Sequence, residues 1–256
     1  MRAVALGLWA FTSSLEATLL LRGRQGKIAH RFPFFYSYIA FLFLSSAVLL
    51  PIYLFWPSHY TEAFWFRFMI QLVAELAILV EISDQIFSPY VAIRRLGRLL
   101  TIVLSVTFAL VYIFPSLVQA QLASTIALDV VQDVVKRAAL AKAIILVSLL
   151  ATTRKFRLRL GQNVSGIILG FLSYLAVTVI NLAVFENYGV ALSAKSFSLI
   201  GQLGYAISLL IWTIALWREE PASPIVDKSI SAEGFSNLVS NRLEKVNSAL
   251  IKLFGK

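Results

Sequence analysis

From residue 33 to residue 55, "PFFYSYIAFLFLSSAVLLPIYLF", no side chain carries a charge. About 20 consecutive apolar residues are the length of a helix across the hydrocarbon core of a bilayer. Backbone polar groups in that medium must bond to one another, which leaves helices and closed barrels as spanning structures. Comparable runs recur at 3–21, 64–87, 99–118, 131–152, 164–185 and 197–217. A barrel would instead show alternating segments of about 10 residues, and the sequence has none. Charged residues make up 14% of the chain and the mean hydropathy is +0.81, against about 25% charged in soluble domains. The pattern predicts an all-α polytopic membrane protein, with a bundle of seven transmembrane helices over residues 1–217.

The net charge of +10 would point to a nucleic-acid partner in a soluble chain. Here the bases fall in clusters between apolar runs, so no nucleic acid is expected and the charge reads as topological. Arg22, Arg24, Lys27 and Arg31 follow the first run, and Arg94, Arg95 and Arg98 follow the third. Arg154, Lys155, Arg157 and Arg159 follow the fifth. The alternate loops, 56–63, 119–130 and 186–196, hold only Lys195. Lys and Arg mark cytoplasmic loops, so the N-terminus is expected outside and the C-terminus in the cytoplasm. The first run reads as a retained span, because it holds Glu16 and its main positive cluster follows it. Trp56, Tyr60 and Phe64-Trp65-Phe66 suit an outer aromatic belt. The sequon "NVS" at 163–165 falls on the cytoplasmic side, where it is no glycosylation acceptor.

Beyond residue 217 the composition changes. Residues 218–230, with two prolines and mixed charge, read as a linker. In 231–256, Phe235, Leu238, Val239, Leu243, Val246, Leu250 and Leu253 recur at spacings of three and four. That is an amphipathic helix, suited to the anionic inner leaflet or to a protein partner or second copy.

Ionisable groups inside spans are costly, by about 2.5–3.5 kcal/mol at a helix centre, and they persist where they face protein or water. On the third span Arg67, Gln71, Glu75, Glu81 and Gln85 form a polar flank. Glu81 and Asp84 lie near its inner end, where pairing with Arg94 and Arg95 of the next loop is expected. Glu75 lies at mid-depth with no loop at hand. Lys142 is similarly deep in the fifth span and is its candidate partner. Glu16 of the first span is a candidate for the same network. Asn181 of the sixth span, and Gln202 and Tyr205 of the seventh, add neutral polar groups of the kind that join membrane helices. The charges of 129–137, Asp129, Asp133, Lys136 and Arg137, share one helical face and read as a self-paired stem.

Enzyme signatures are missing. The chain has no cysteine and only two histidines, so a multi-histidine or thiolate metal site cannot be assembled. No G-x-S-x-G, H-E-x-x-H or phosphate-cradling glycine loop occurs, and no catalytic residue or cofactor is predicted.

The seven-span layout resembles that of microbial rhodopsins and seven-helix receptors, but "GYAISLL" in the last span holds no lysine for a retinal. It can also be divided as PQ-loop transporters are, without a Pro-Gln motif. The stretches "HRFPFFYSYIAF" (30–41) and "EISDQIFSPYVAIRRLGR" (81–98) resemble parts of uncharacterised bacterial seven-span membrane proteins. That resemblance implies a bacterial inner membrane and assigns no activity. The function expected from the residues is receptor-like or sensory, with a small or lipophilic ligand held by the polar flanks of the bundle. A secondary transporter using Glu75 as coupling carboxylate, and a scaffold subunit of a membrane complex, are the alternatives.

Overall fold

A computed structural model describes residues 2–26, 28–88, 91–108, 110, 128–155, 160–188 and 194–217. Every regular element among them is helical. The long helices are α1 (Arg2–Gln25), α2 (Pro33–Phe55), α3 (Tyr60–Ile86), α4 (Val91–Phe108), α5 (Leu128–Lys155), α6 (Gln162–Tyr188) and α7 (Ala194–Trp217). Short helical turns, Ile28–Arg31 and Pro57–His59, lead into α2 and α3. The linker and tail expected over 218–256, and the side chains of Asp129 and Asp133, lie outside the described residues.

Among the described residues, four helical stretches are long and apolar enough to cross a membrane: Pro33–Phe55, Pro57–Ile86, Gln162–Val184 and Leu199–Trp217. The other three runs are more polar. Glu16 and a Thr-Ser-Ser stretch interrupt α1, arginines fill the first turns of α4, and α5 carries charge through its first half. The fourth run was expected over 99–118, whereas α4 begins earlier, at Val91, and is described as far as Phe108.

Large apolar side chains face outward while several ionisable ones are buried in a largely apolar core. On α3, Val73 is 68% exposed while Glu75, two residues on, is 3% exposed. Glu16, Lys142 and Asn181 are buried, whereas Leu44, Leu169, Ile180 and Ile214 face outward. An apolar exterior around a packed core that shelters the ionisable groups is what a lipid solvent selects. Hydroxyls obey the same rule: Ser14, Thr18, Thr178, Ser208 and Thr213 each donate to the carbonyl four residues earlier.

The helices close into a ring. α1 packs on α2, α2 on α3, α3 on both α5 and α6, α5 on α6, α6 on α7, and α7 back on α1. α4 lies against α3 and α5. One end of the ring collects the ends of most of these helices. Arg22 of α1 donates to the carbonyls of Leu216 and Trp217 at the end of α7, where a cation satisfies orphan acceptors. Gln85 of α3 donates to the carbonyl of Arg31 just before α2. Trp212 of α7 donates to Ile167 near the start of α6, at 3.0 Å. The basic residues Arg22, Arg31 and Arg98 therefore share this end, while Trp56, His59 and Tyr60 mark the other.

The seam between α6 and α7 is close-packed at its glycines. A Cβ on Gly166 would collide with the Cβ of Ala215, and one on Gly170 with the indole nitrogen of Trp212. "Gly-Ile-Ile-Leu-Gly" at 166–170 is thus a small-x-x-x-small contact that lets two membrane helices approach closely. Trp212, seated against it, packs edge-on to Phe35 at 5.2 Å and against Phe171 at 4.9 Å, so one indole ties α2, α6 and α7 together.

Gly170→Ala is expected to destabilise the bundle by about 1–3 kcal/mol through overpacking. Gly7→Ala, at an exposed site with no neighbour within 4 Å, should cause no loss. Reversible unfolding in mixed micelles compares the two.

Candidate functional site

Glu75 sits at the middle of α3 and is closed off from the surface. Its Oε2 receives the ammonium of Lys142 from α5. Its Oε1 accepts from the Tyr38 hydroxyl of α2 at 3.2 Å and from Gln71 Nε2, one turn earlier on α3, at 2.9 Å. Three donors on one carboxylate join three helices. Lys142 is itself 8% exposed, so neither charge can turn to water. Such a pair stabilises little compared with an apolar core, but losing one partner costs about 3–5 kcal/mol, because the other charge stays buried and uncompensated.

Around this pair the interior continues polar. Tyr38, Tyr174 and Tyr205 lie within electrostatic range of one another, and Glu75 acts on the first two. Tyr174 and Tyr205 meet edge to face with centroids 6.1 Å apart. Tyr205 donates to Glu16 Oε1 of α1 at 2.6 Å. Arg67, two turns before Glu75 on α3, donates from Nε to Ser45 of α2 at 2.9 Å, and its charge reaches Glu16, Tyr174 and Tyr205. Six of the seven helices therefore contribute a polar side chain to one continuous core.

Of the residues singled out in the sequence, Glu75, Gln71 and Lys142 form one cluster, and Glu16 and Tyr205 form a second beside it. Gln202 lies one turn before Tyr205 on the same face of α7, with a buried Oε1 that has no hydrogen-bond partner among the described residues. Asn181 is buried at the α6–α7 seam, where its amide nitrogen would lie 3.9 Å from a Cβ at Gly201.

Glu81 has partners other than the arginines expected for it. Glu81 accepts from the backbone amides of Phe34 and Phe35, both at 2.9 Å. The start of α2 explains why. Phe32, its N-cap residue, supplies no side-chain cap, and Pro33 has no amide hydrogen. Phe32 N bonds to the Ile28 carbonyl, so the amides of Phe34 and Phe35 are the orphans left at this helix start. A carboxylate from the neighbouring helix takes both, at the end of α2 where the macrodipole favours negative charge. Asp84 pairs with Arg98, of the same loop as Arg94 and Arg95, at 3.3 Å. The side chains of Arg94 and Arg95 lie outside the described residues.

Tyr38 is the site residue that sequence reasoning passed over. Its signal was position: a phenol near mid-run in "FYSYIAFLF", at a depth where a hydroxyl needs a partner. Among the described residues no group of three or more His, Cys, Asp and Glu could hold a metal ion.

Lys142→Met should cost about 3–5 kcal/mol, whereas the double variant Glu75→Leu/Lys142→Met should recover most of that loss. A double-mutant cycle on unfolding free energies measures the coupling. Glu81→Ala should cost about 1.5–3 kcal/mol, the worth of hydrogen bonds to a charged group, and Glu81→Gln, which keeps an acceptor oxygen, should cost less. No family model, curated protein or solved structure matches the chain.

Proposed function

We propose that the chain is a seven-span membrane protein of receptor-like type, with its N-terminus outside, its C-terminus in the cytoplasm and a small polar ligand bound inside the ring. The observation that carries this proposal is the buried Glu75–Lys142 pair with its two neutral donors. It concentrates opposite charges at mid-depth, links α3 to α5, and needs no ligand to be complete. That is the behaviour of a latch: a ligand that competes for either charge loosens one side of the ring against the other. To move such a two-state element from 1:99 to 99:1, the ligand must favour the open state by about 5.5 kcal/mol. Two or three charge-assisted hydrogen bonds, at about 1.5–3 kcal/mol each, reach that scale.

The topology is supported by α1 and α7 ending at the same end of the ring, as helices separated by an even number of crossings must. It is also supported by the gathering of arginines there, the charge pattern of a cytoplasmic end. The tail over 231–256 would carry the signal to the inner leaflet or a partner, and a bacterial inner membrane is the location that fits. A transport reading keeps one specific point in its favour: Glu75 already shares its charge with a counter-ion, as a coupling carboxylate does between steps.

The absence of native cysteines makes topology directly measurable. Ser58→Cys, in the Pro57–His59 turn, should react with an impermeant maleimide in intact cells; Ser88→Cys should react only after the membrane is opened. The reverse pattern would invert the topology, and labelling of both sites from outside would contradict it. For function, the protein in nanodiscs is screened by thermal shift against amines, carboxylates, amino acids and sugars. A saturable shift that Glu75→Leu abolishes, without net flux of that compound into proteoliposomes, is expected; flux would favour transport, and an unaltered shift in Glu75→Leu would remove the pair from both readings.

A further inference from the structure

The interior holds a second pair of opposite charges, and this one does not close. Glu16 uses Oε1 for Tyr205, but its Oε2 is buried without a partner among the described residues. Gln202 Oε1, one turn away from Tyr205 on α7, is likewise buried and open. Glu16 is 2% exposed, so water from the bulk does not reach the free oxygen. A buried acceptor without a donor is uncommon in folded proteins; two of them flanking one tyrosine call for a donor between α1 and α7. Across the same tyrosine pair stands Arg67. Of its five N–H donors the structure gives one a partner, Ser45, and its charge acts on Glu16 without touching it.

We propose that Glu16, Gln202 and Arg67 are the groups that hold the ligand beside the Glu75–Lys142 latch, and that the ligand is a small zwitterion whose charges compete with that pair. The ammonium end bonds to Glu16 Oε2 and Gln202 Oε1, and the anionic end bonds to the unused guanidinium donors of Arg67. This inference rests on the ligand-binding proposal above and names the chemical class of the ligand. Arg67 decides between classes. A simple cation would satisfy the two open acceptors but would be repelled by the guanidinium and leave its donors free. An anion would satisfy Arg67 and face Glu16. Only a molecule carrying both charges answers every open group. The edge-to-face rings of Tyr174 and Tyr205 supply an aromatic wall of the kind that attracts ammonium groups. Arg67 is only partly buried, so the ligand enters ammonium first, with its carboxylate toward the more open end.

The test uses the full chain in nanodiscs, with β-alanine, γ-aminobutyrate and 5-aminovalerate as zwitterions of increasing length. Propylamine and butyrate serve as single-charge controls. At least one zwitterion should raise the melting temperature saturably, with propylamine and butyrate weaker by about tenfold or more. Glu16→Gln, which keeps an acceptor for Tyr205, and Arg67→Gln should each weaken that zwitterion by about tenfold to a hundredfold, while Arg67→Lys should retain part of the affinity. Propylamine binding as tightly as the zwitterions, or an unchanged affinity in Arg67→Gln, would overturn the zwitterion assignment and leave ligand binding standing. Binding of a sugar or other neutral compound in place of every zwitterion would do the same. No shift with any compound would overturn both proposals.

Discussion

An ionised side chain in hydrocarbon has no water to turn to, so it must find its counter-charge inside the protein or not be there. The Glu75–Lys142 contact is the form that constraint takes in this chain. It fixes the facing sides of α3 and α5, draws Tyr38 of α2 toward the same carboxylate, and leaves the outer faces of these helices to Val73, Ile144 and Val147. The same accounting governs the backbone. Where α2 begins without a cap of its own, Glu81 reaches across from α3; where α7 ends, Arg22 reaches across from α1. Side chains from neighbouring helices thus satisfy both helix ends, and these bonds add tertiary specificity to the van der Waals packing that otherwise holds membrane helices together.

Packing and polarity divide the interior by level. Toward the arginine-rich end the ring is filled by an aromatic cluster on Trp212, which the glycines of α6 admit. Beyond it lies the polar core, where Tyr38 bridges the two levels by touching Phe171 with its ring and Glu75 with its hydroxyl. A tightly packed end and a polar centre make an asymmetric bundle. The α6–α7 seam is held by the close approach of Gly166 to Ala215 and of Gly170 to Trp212, whereas the charges are held by side-chain bonds that a ligand can exchange. Motion that answers a ligand is therefore expected between α3, α5 and α1, with α6 and α7 as the fixed wall.

Much of the architecture was legible in the sequence because lipid imposes length and composition at once. The apolar runs locate α2, α3, α6 and α7 to within a few residues, and the burial of Glu75 follows from its distance from either end of its run. Lys142 could be named as a partner from depth alone, but depth does not say which helices are neighbours. Glu81 shows the limit more sharply. From the sequence its nearest counter-charges are the arginines of the following loop, yet its partners are two amides 46 and 47 residues away along the chain. Nothing in a linear pattern announces an uncapped helix start opposite a carboxylate. The glycine spacing at 166–170 was visible, and only the approach of Ala215 and Trp212 shows what it is for.

The central claim is that Glu75 and Lys142 touch within the membrane, and dipolar solid-state NMR measures that contact directly. With glutamate labelled at 13Cδ and lysine at 15Nζ, the protein in bilayers should show a carbon–nitrogen dipolar contact that vanishes in Glu75→Gln and again in Lys142→Met. No such contact, or one that survives either substitution, would contradict the account.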